Sequence, residues 1–166
     1  MMRILFLGDV VGKSGCLAVT QNLPDQIKKK KIDFVIVNGE NAADQGVGIT
    51  EQISNDLFNS GTNVITTGNH VWDQKEALIY IDKENRLLRP ENLIKPTSGK
   101  GFEIFKTKNN FKIGVLNLMG NIFMKKCDDV FQVSKEFIKK NNLKKDYDFL
   151  VVDFHGEITS EKMAIA

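Results

Sequence analysis

Cysteine, histidine, proline and tryptophan are all scarce in this chain. Its 166 residues include two Cys, two His, three Pro and one Trp. Two cysteines as far apart as Cys16 and Cys127 exclude a disulfide-stapled scaffold. No secretory leader is expected either, because Asp9 interrupts the first apolar run, so a reduced, cytoplasmic protein is the natural reading. No apolar run approaches the ~18 residues of a membrane-spanning helix. Charge of one sign is lacking too: 23 Lys+Arg face 21 Asp+Glu, a net charge of +2, which gives no sign of a nucleic-acid or membrane partner. What is present, 42% hydrophobic and 27% charged residues, suits residues 1–166 as a single domain with a sizeable core.

Short β-branched, apolar runs alternate with longer mixed segments, the pattern of an α/β fold with a largely parallel sheet. Strands are expected at about Arg3–Leu7, Asp33–Val37, Asn63–Thr67, Phe102–Phe105, Lys112–Leu118 and Asp148–Phe154. Helices are expected at Gly15–Lys30, Thr50–Asn59, Gln74–Glu84 and Asp128–Lys140, with a further short helix opening at Thr159 or Ser160. The fourth and fifth strands read as an antiparallel hairpin inserted in the α/β order. The Lys28–Lys31 run reads as a helix end, where cations complement the dipole.

The residues that follow each apolar strand carry the functional signal. Gly8-Asp9, Asn38-Gly39-Glu40-Asn41, Gly68-Asn69-His70 and His155 all stand just beyond strand ends. In a parallel arrangement those carboxyl ends line one edge, where open α/β folds bind ligands. Asp9, Glu40, Asn41, Asn69, His70 and His155 are therefore expected to converge. Carboxylate, amide oxygen and imidazole are the donors of hard or borderline metals. Any one such residue after a strand is ordinary turn chemistry, but both histidines of the chain fall in this pattern.

Gly8-Asp9-Val10-Val11-Gly12-Lys13-Ser14 invites comparison with a phosphate-binding loop. That loop needs four residues between its first glycine and Gly-Lys-Ser, and the position where the glycine is required is Leu7. A nucleoside-triphosphatase reading therefore fails.

Gly8-Asp9-Val10-Val11-Gly12, Val37-Asn38-Gly39-Glu40-Asn41-Ala42-Ala43, Thr67-Gly68-Asn69-His70-Val71-Trp72-Asp73 and Asp153-Phe154-His155-Gly156-Glu157-Ile158-Thr159-Ser160-Glu161-Lys162 resemble the YmdB-like branch of the bacterial calcineurin-like metallophosphoesterases. Leu88-Arg89-Pro90 and Asn117-Leu118 extend the resemblance. It implies a four-layer αββα sandwich of the metallophosphoesterase type. It implies two divalent or trivalent metal ions, iron or manganese. The implied activity is that of a phosphodiesterase acting on 2′,3′-cyclic nucleotides by attack of a metal-bridging hydroxide. Carried over by motif, Asp9 and Asn41 would hold the first metal, Glu40 would bridge both, and Asn69 and His155 would hold the second. His70 would be the general acid, a task that suits an imidazole at cellular pH. The partner would be a small phosphodiester or nucleotide.

Beside this core, Asp73 is expected to cap the helix beginning near Gln74, with Trp72 packed under the loop. Glu157 and Glu161 are expected as acids at the start of the last helix. The chain departs from the family in a longer Ala43–Thr50 turn, in Cys16, and in Asn121 where Arg is common. Family members continue to a Gly-x-His-x-His turn, which this sequence lacks, so the fold is expected to be incomplete at its C-terminus. The alternative reading is an inactive remnant or interaction module of the same fold, whose unpaired sheet edges would favour association into homo-oligomers.

Overall fold

The computed structural model describes residues 2–95 and 97–166. Among them lie six strands and five helices: β1 (Ile4–Leu7), α1 (Gly12–Lys30), β2 (Phe34–Asn38), α2 (Glu51–Asn59), β3 (Val64–Thr66), α3 (Ala77–Tyr80), β4 (Phe102–Lys106), β5 (Lys112–Met119), α4 (Val130–Lys140), β6 (Phe149–His155) and α5 (Thr159–Ile165). The strands form two sheets, β1-β2-β3 and β4-β5-β6. In the first, all pairs are parallel, with Leu5 opposite Val35 and Val37 opposite Ile65. In the second, the expected hairpin pairs Phe102 with Leu116, and β6 then runs parallel to β5 with Met119 opposite His155.

β2 is buried along its whole length because it is covered on both faces, which is why it reads as an uninterrupted apolar run. Phe34 and Ile36 join Val64, Ile113 and Val115 in one apolar cluster, so the two sheets share a core. Val35 and Val37 point the other way, to Leu23 of α1 and Leu57 of α2. Leu116 and Leu118 of β5 meet Val130 and Phe137 of α4, with Ile165 of α5 packed against them.

Helix ends follow local chemistry. α1 closes on Lys28, Lys29 and Lys30, and Lys31 then turns left-handed at φ 52° while the Ile32 N–H reaches back to the Ile27 carbonyl. Thr50 caps α2 by accepting from the Ile53 N–H at 3.2 Å, and Asp129 caps α4 by accepting from the Gln132 N–H at 2.8 Å.

The third helix corrects the sequence reading. Gln74–Glu84 is expected as a helix, yet only Ala77–Tyr80 is one. Residues of the expected first turn serve tertiary partners instead. The Gln74 amide donates to the Val47 carbonyl at 2.9 Å, and Glu76 Oε1 accepts from the Glu51 N–H at the start of α2. At the far end, Asp82 Oδ1 accepts from the Gly99 N–H at 2.7 Å. Apolar periodicity is blind to such partners. No described helix is long and apolar enough to cross a membrane.

Candidate metal centre

A buried polar frame joins the carboxyl ends of the strands. Asn38, the last residue of β2, donates through Nδ2 to Asp153 Oδ2 of β6 at 2.9 Å, and its Oδ1 accepts from the Glu40 N–H at 3.2 Å. Asn117 of β5 accepts from the Thr67 N–H at 2.9 Å and donates to the Asp153 carbonyl at 3.3 Å. All three side chains are buried, where an unpaired amide or carboxylate would be costly. The frame therefore fixes the turns that leave β2, β3 and β6.

Asp9 just beyond β1, Glu40 just beyond β2 and His155 at the end of β6 come together beside this frame, each offering a ligand atom within 4.8 Å of the others. His155 Nε2 lies 3.0 Å from Glu40 Oε1 and 3.0 Å from Asn69 Oδ1. The Asn41 amide donates to Glu40 Oε1 at 3.1 Å. Glu40 Oε2 is buried and has no hydrogen-bond partner among the described residues. One ring nitrogen facing two oxygens, beside an orphaned carboxylate oxygen, is an arrangement that a cation satisfies better than protons do. The residues present thus fit a metal. Gly68 is required here for close approach, because a Cβ at that position would overlap Glu40 Oε2 and the His155 ring. Asp9 and His155 also face a cavity of about 600 Å³, shared with Glu157 and Lys162.

Burial opposes charge on His155, but its hydrogen bond to Glu40 and the nearby Glu40, Asp9 and Asp153 charges outweigh burial and raise its pKa above the usual imidazole range. Burial pushes the Asp9 carboxyl up, with His155 working the other way. Asp153 is raised mainly by burial. Metal ligands must be deprotonated, so a cation would compete directly with these protons.

His70 is not one of the three clustered residues; its Nδ1 lies 2.6 Å from Asp73 Oδ2. The other Asp73 oxygen accepts from Lys125 Nζ at 2.9 Å. The His70 hydrogen bond, helped by Lys125 and opposed by partial burial, holds Asp73 below the usual carboxylate range. Asp73 is therefore not the cap expected for the third helix. Trp72, as expected, packs against the core beneath the loop.

The YmdB-like protein family model matches residues 5–166. The chain belongs to the YmdB-like family. It is 44% identical over 164 residues to the Bacillus subtilis 2′,3′-cyclic-nucleotide 2′-phosphodiesterase, covering 99% of this chain and 61% of that relative. The fold is similar to the crystal structure of a Thermus thermophilus protein described as hypothetical, with TM-score 0.89 and 36% identity over 99% of this chain and 62% of that one. It is also similar to that of a novel phosphatase from Mycoplasma pneumoniae, with TM-score 0.87 and 38% identity over 99% and 58% of the two chains. The chain thus spans about three-fifths of the length of these relatives.

Within this YmdB-like chain, several residues near the site escape a reading of the sequence. Glu161 lies, as expected, in the first turn of the last helix, but what the sequence did not show is that it is buried and accepts from the Asn121 and Ile122 N–H groups at 2.8 and 3.3 Å. Asn121 ties the same loop to α4: its Oδ1 accepts from the Val130 N–H at 3.0 Å. Asn38, Asn117 and Asp153 leave one detectable signal, a polar residue inside an otherwise apolar strand. Lys125 leaves none.

Proposed function

We propose that the chain is the metal-binding part of a phosphodiesterase acting on 2′,3′-cyclic nucleotides or similar small phosphodiesters. The observation that carries this reading is the orphaned, buried Glu40 Oε2 beside Asp9 and His155. Glu40, Asp9, Asn41, Asn69 and His155 are the residues that would hold two ions, iron or manganese, with Glu40 shared, Asp9 and Asn41 serving one ion and Asn69 and His155 the other. The hydrogen bonds of Asn41 to Glu40 and of Asn69 to His155 favour this assignment, since both amides already sit against the clustered residues. Two such cations, when bound, lower the pKa of a shared water and offset the charge of the phosphate.

The chain's own residues do the rest. Asn38 and Asn117 hold the turns in register, so the ligand atoms are preorganised. His70 supplies a proton to the leaving ribose oxygen. We further read residues 1–166 as one domain of a four-layer αββα sandwich. Support comes from the shared core between the two sheets and from helices on the opposite face of each. A reducing cytoplasm fits the two free thiols, Cys16 and Cys127.

The test is hydrolysis of 2′,3′-cyclic AMP by chain loaded with Mn²⁺ or Fe²⁺, compared with Asp9→Ala and Glu40→Ala. Metal uptake with turnover lost in both variants is the expected result. Absence of both metal uptake and turnover would overturn the reading and favour a non-catalytic module.

A further inference from the structure

Asp73 stands apart from the metal cluster and has both oxygens engaged. Oδ2 meets His70 Nδ1 at 2.6 Å, and Oδ1 accepts from Lys125 Nζ at 2.9 Å. The backbone closes the same turn, with the Asp73 N–H donating to the His70 carbonyl at 3.0 Å. A separation of 2.6 Å is at the short end of charge-assisted hydrogen bonds. The pair is therefore held both through its side chains and through its main chain.

Lys125 belongs to the loop between β5 and α4, and this loop is anchored at both ends. Glu161 accepts from the Asn121 and Ile122 N–H groups, and the Asn121 amide donates to the Asp128 carbonyl at 3.0 Å. An exposed lysine on a free loop would add little to an ion pair. On a pinned loop its ammonium is carried to the Asp73 oxygen that His70 does not occupy, although the lysine side chain stays 55% exposed.

An imidazole that must hand a proton to a substrate needs one nitrogen held so that the other is aimed. Asp73 occupies Nδ1. The proton at Nδ1 then points at Asp73, and Nε2 is left as the nitrogen facing outward.

We propose that Asp73 and Lys125 are positioning residues that hold His70 with Nδ1 engaged and Nε2 free to protonate the leaving oxygen. This rests on the reading of His70 as general acid. In the step concerned, a water oxygen bonds to phosphorus and the bond from phosphorus to the ribose oxygen breaks. That oxygen takes the proton from Nε2. The proton lost by the water passes to solvent, from which Nε2 is reprotonated, so one water is added across one P–O bond.

Two measurements test it. The first is nitrogen-15 NMR of the metal-free chain, whose only imidazoles are His70 and His155. His70 is expected to carry its proton on Nδ1. Asp73→Ala is expected to shift it toward Nε2, Asp73→Asn to keep it on Nδ1, and the His155 signals to stay in place as a control for folding. A His70 tautomer unchanged in Asp73→Ala overturns the proposal, whether or not the chain turns over substrate.

The second is kinetics with two leaving groups. Asp73→Ala is expected to lower kcat on 2′,3′-cyclic AMP roughly 10²-fold with little change in KM. On bis(4-nitrophenyl) phosphate, whose phenolate leaves without a proton, kcat should stay about the same. Lys125→Ala should show the same split to a smaller degree. If His70→Ala shows the split and Asp73→Ala does not, the positioning role is wrong while the general acid stands. If His70→Ala affects both substrates alike, the general-acid reading is wrong, and with it the proposal.

Discussion

Asn38 Nδ2 donates to Asp153 Oδ2 at 2.9 Å, joining residues 115 positions apart. Asn38 ends β2 in one sheet and Asp153 lies in β6 of the other, so this bond ties the sheets together beside Glu40 and His155. With Asn38 and Asp153 only 1% and 9% exposed, solvent cannot replace the bond. Asn38→Ala should therefore destabilise the chain by about 1–3 kcal/mol, the cost of leaving a buried acceptor unpaired. Urea denaturation reads this directly, and a loss within experimental error of zero would show that the frame does not hold the sheets.

Gly68→Ala should separate site from fold. The added methyl would collide with Glu40 Oε2 and the His155 ring, both of them side-chain atoms that can swing away. Metal affinity measured by calorimetry should fall by at least about tenfold, the scale seen when groups that orient ligands are lost. The far-UV circular dichroism should stay that of the wild type.

The raised pKa of His155 makes metal binding proton-linked. Below that raised value the imidazole is protonated, so a cation must displace a proton. Affinity should fall as pH drops through it, with net proton release visible as a dependence of binding heat on buffer. Stability of the chelated chain has the opposite trend. A folded-state pKa above the unfolded value of about 6.5 contributes stability that is fully present below about 6.5 and lost as pH rises through the folded value. The melting temperature of the metal-free chain should decline over that window, and the decline should flatten in Glu40→Gln.

Glu161 gives a prediction that needs no metal. Its buried carboxylate is the acceptor for two loop N–H groups. Glu161→Ala should cost roughly 1.5–3 kcal/mol, the range for hydrogen bonds to a charged group. Hydrogen exchange at Asn121 and Ile122 should accelerate, while exchange at Val35 and Ile36 in the core should not.

Much of the fold was legible because parallel strands in a covered sheet are written as blocks of apolar residues. β2, β3 and β5 stand out for that reason, and the polar residues at the carboxyl ends of β1, β2, β3 and β6 mark the edge where Asp9, Glu40 and His155 cluster. The shortness of α3 was not legible. Gln74 and Glu76 carry nothing in their local pattern that says their side chains belong to Val47 and Glu51. Asp73 has the composition of a helix cap, but it binds His70, three residues back, and Lys125, 52 residues later. Glu161 is the helix first-turn acid its sequence suggests, and its burial against the β5–α4 loop is invisible until that loop is laid against it. Contacts with Lys125, Val47, Glu51 and the β5–α4 loop were not legible because they are remote in sequence, whereas Asp9, Glu40 and His155 stood out because each lies at or just beyond the carboxyl end of a strand.

The proposed site has Glu40 shared between two metal ions that Asp9, Asn41, Asn69 and His155 would also hold. Electron paramagnetic resonance during Mn²⁺ titration of the chelator-treated chain is the decisive test. Uptake of two ions with an exchange-coupled spectrum is expected, with loss of the coupling in Glu40→Ala. Manganese uptake no greater than in an Asp9→Ala, Glu40→Ala double variant, or a coupled pair that survives Glu40→Ala, would contradict it.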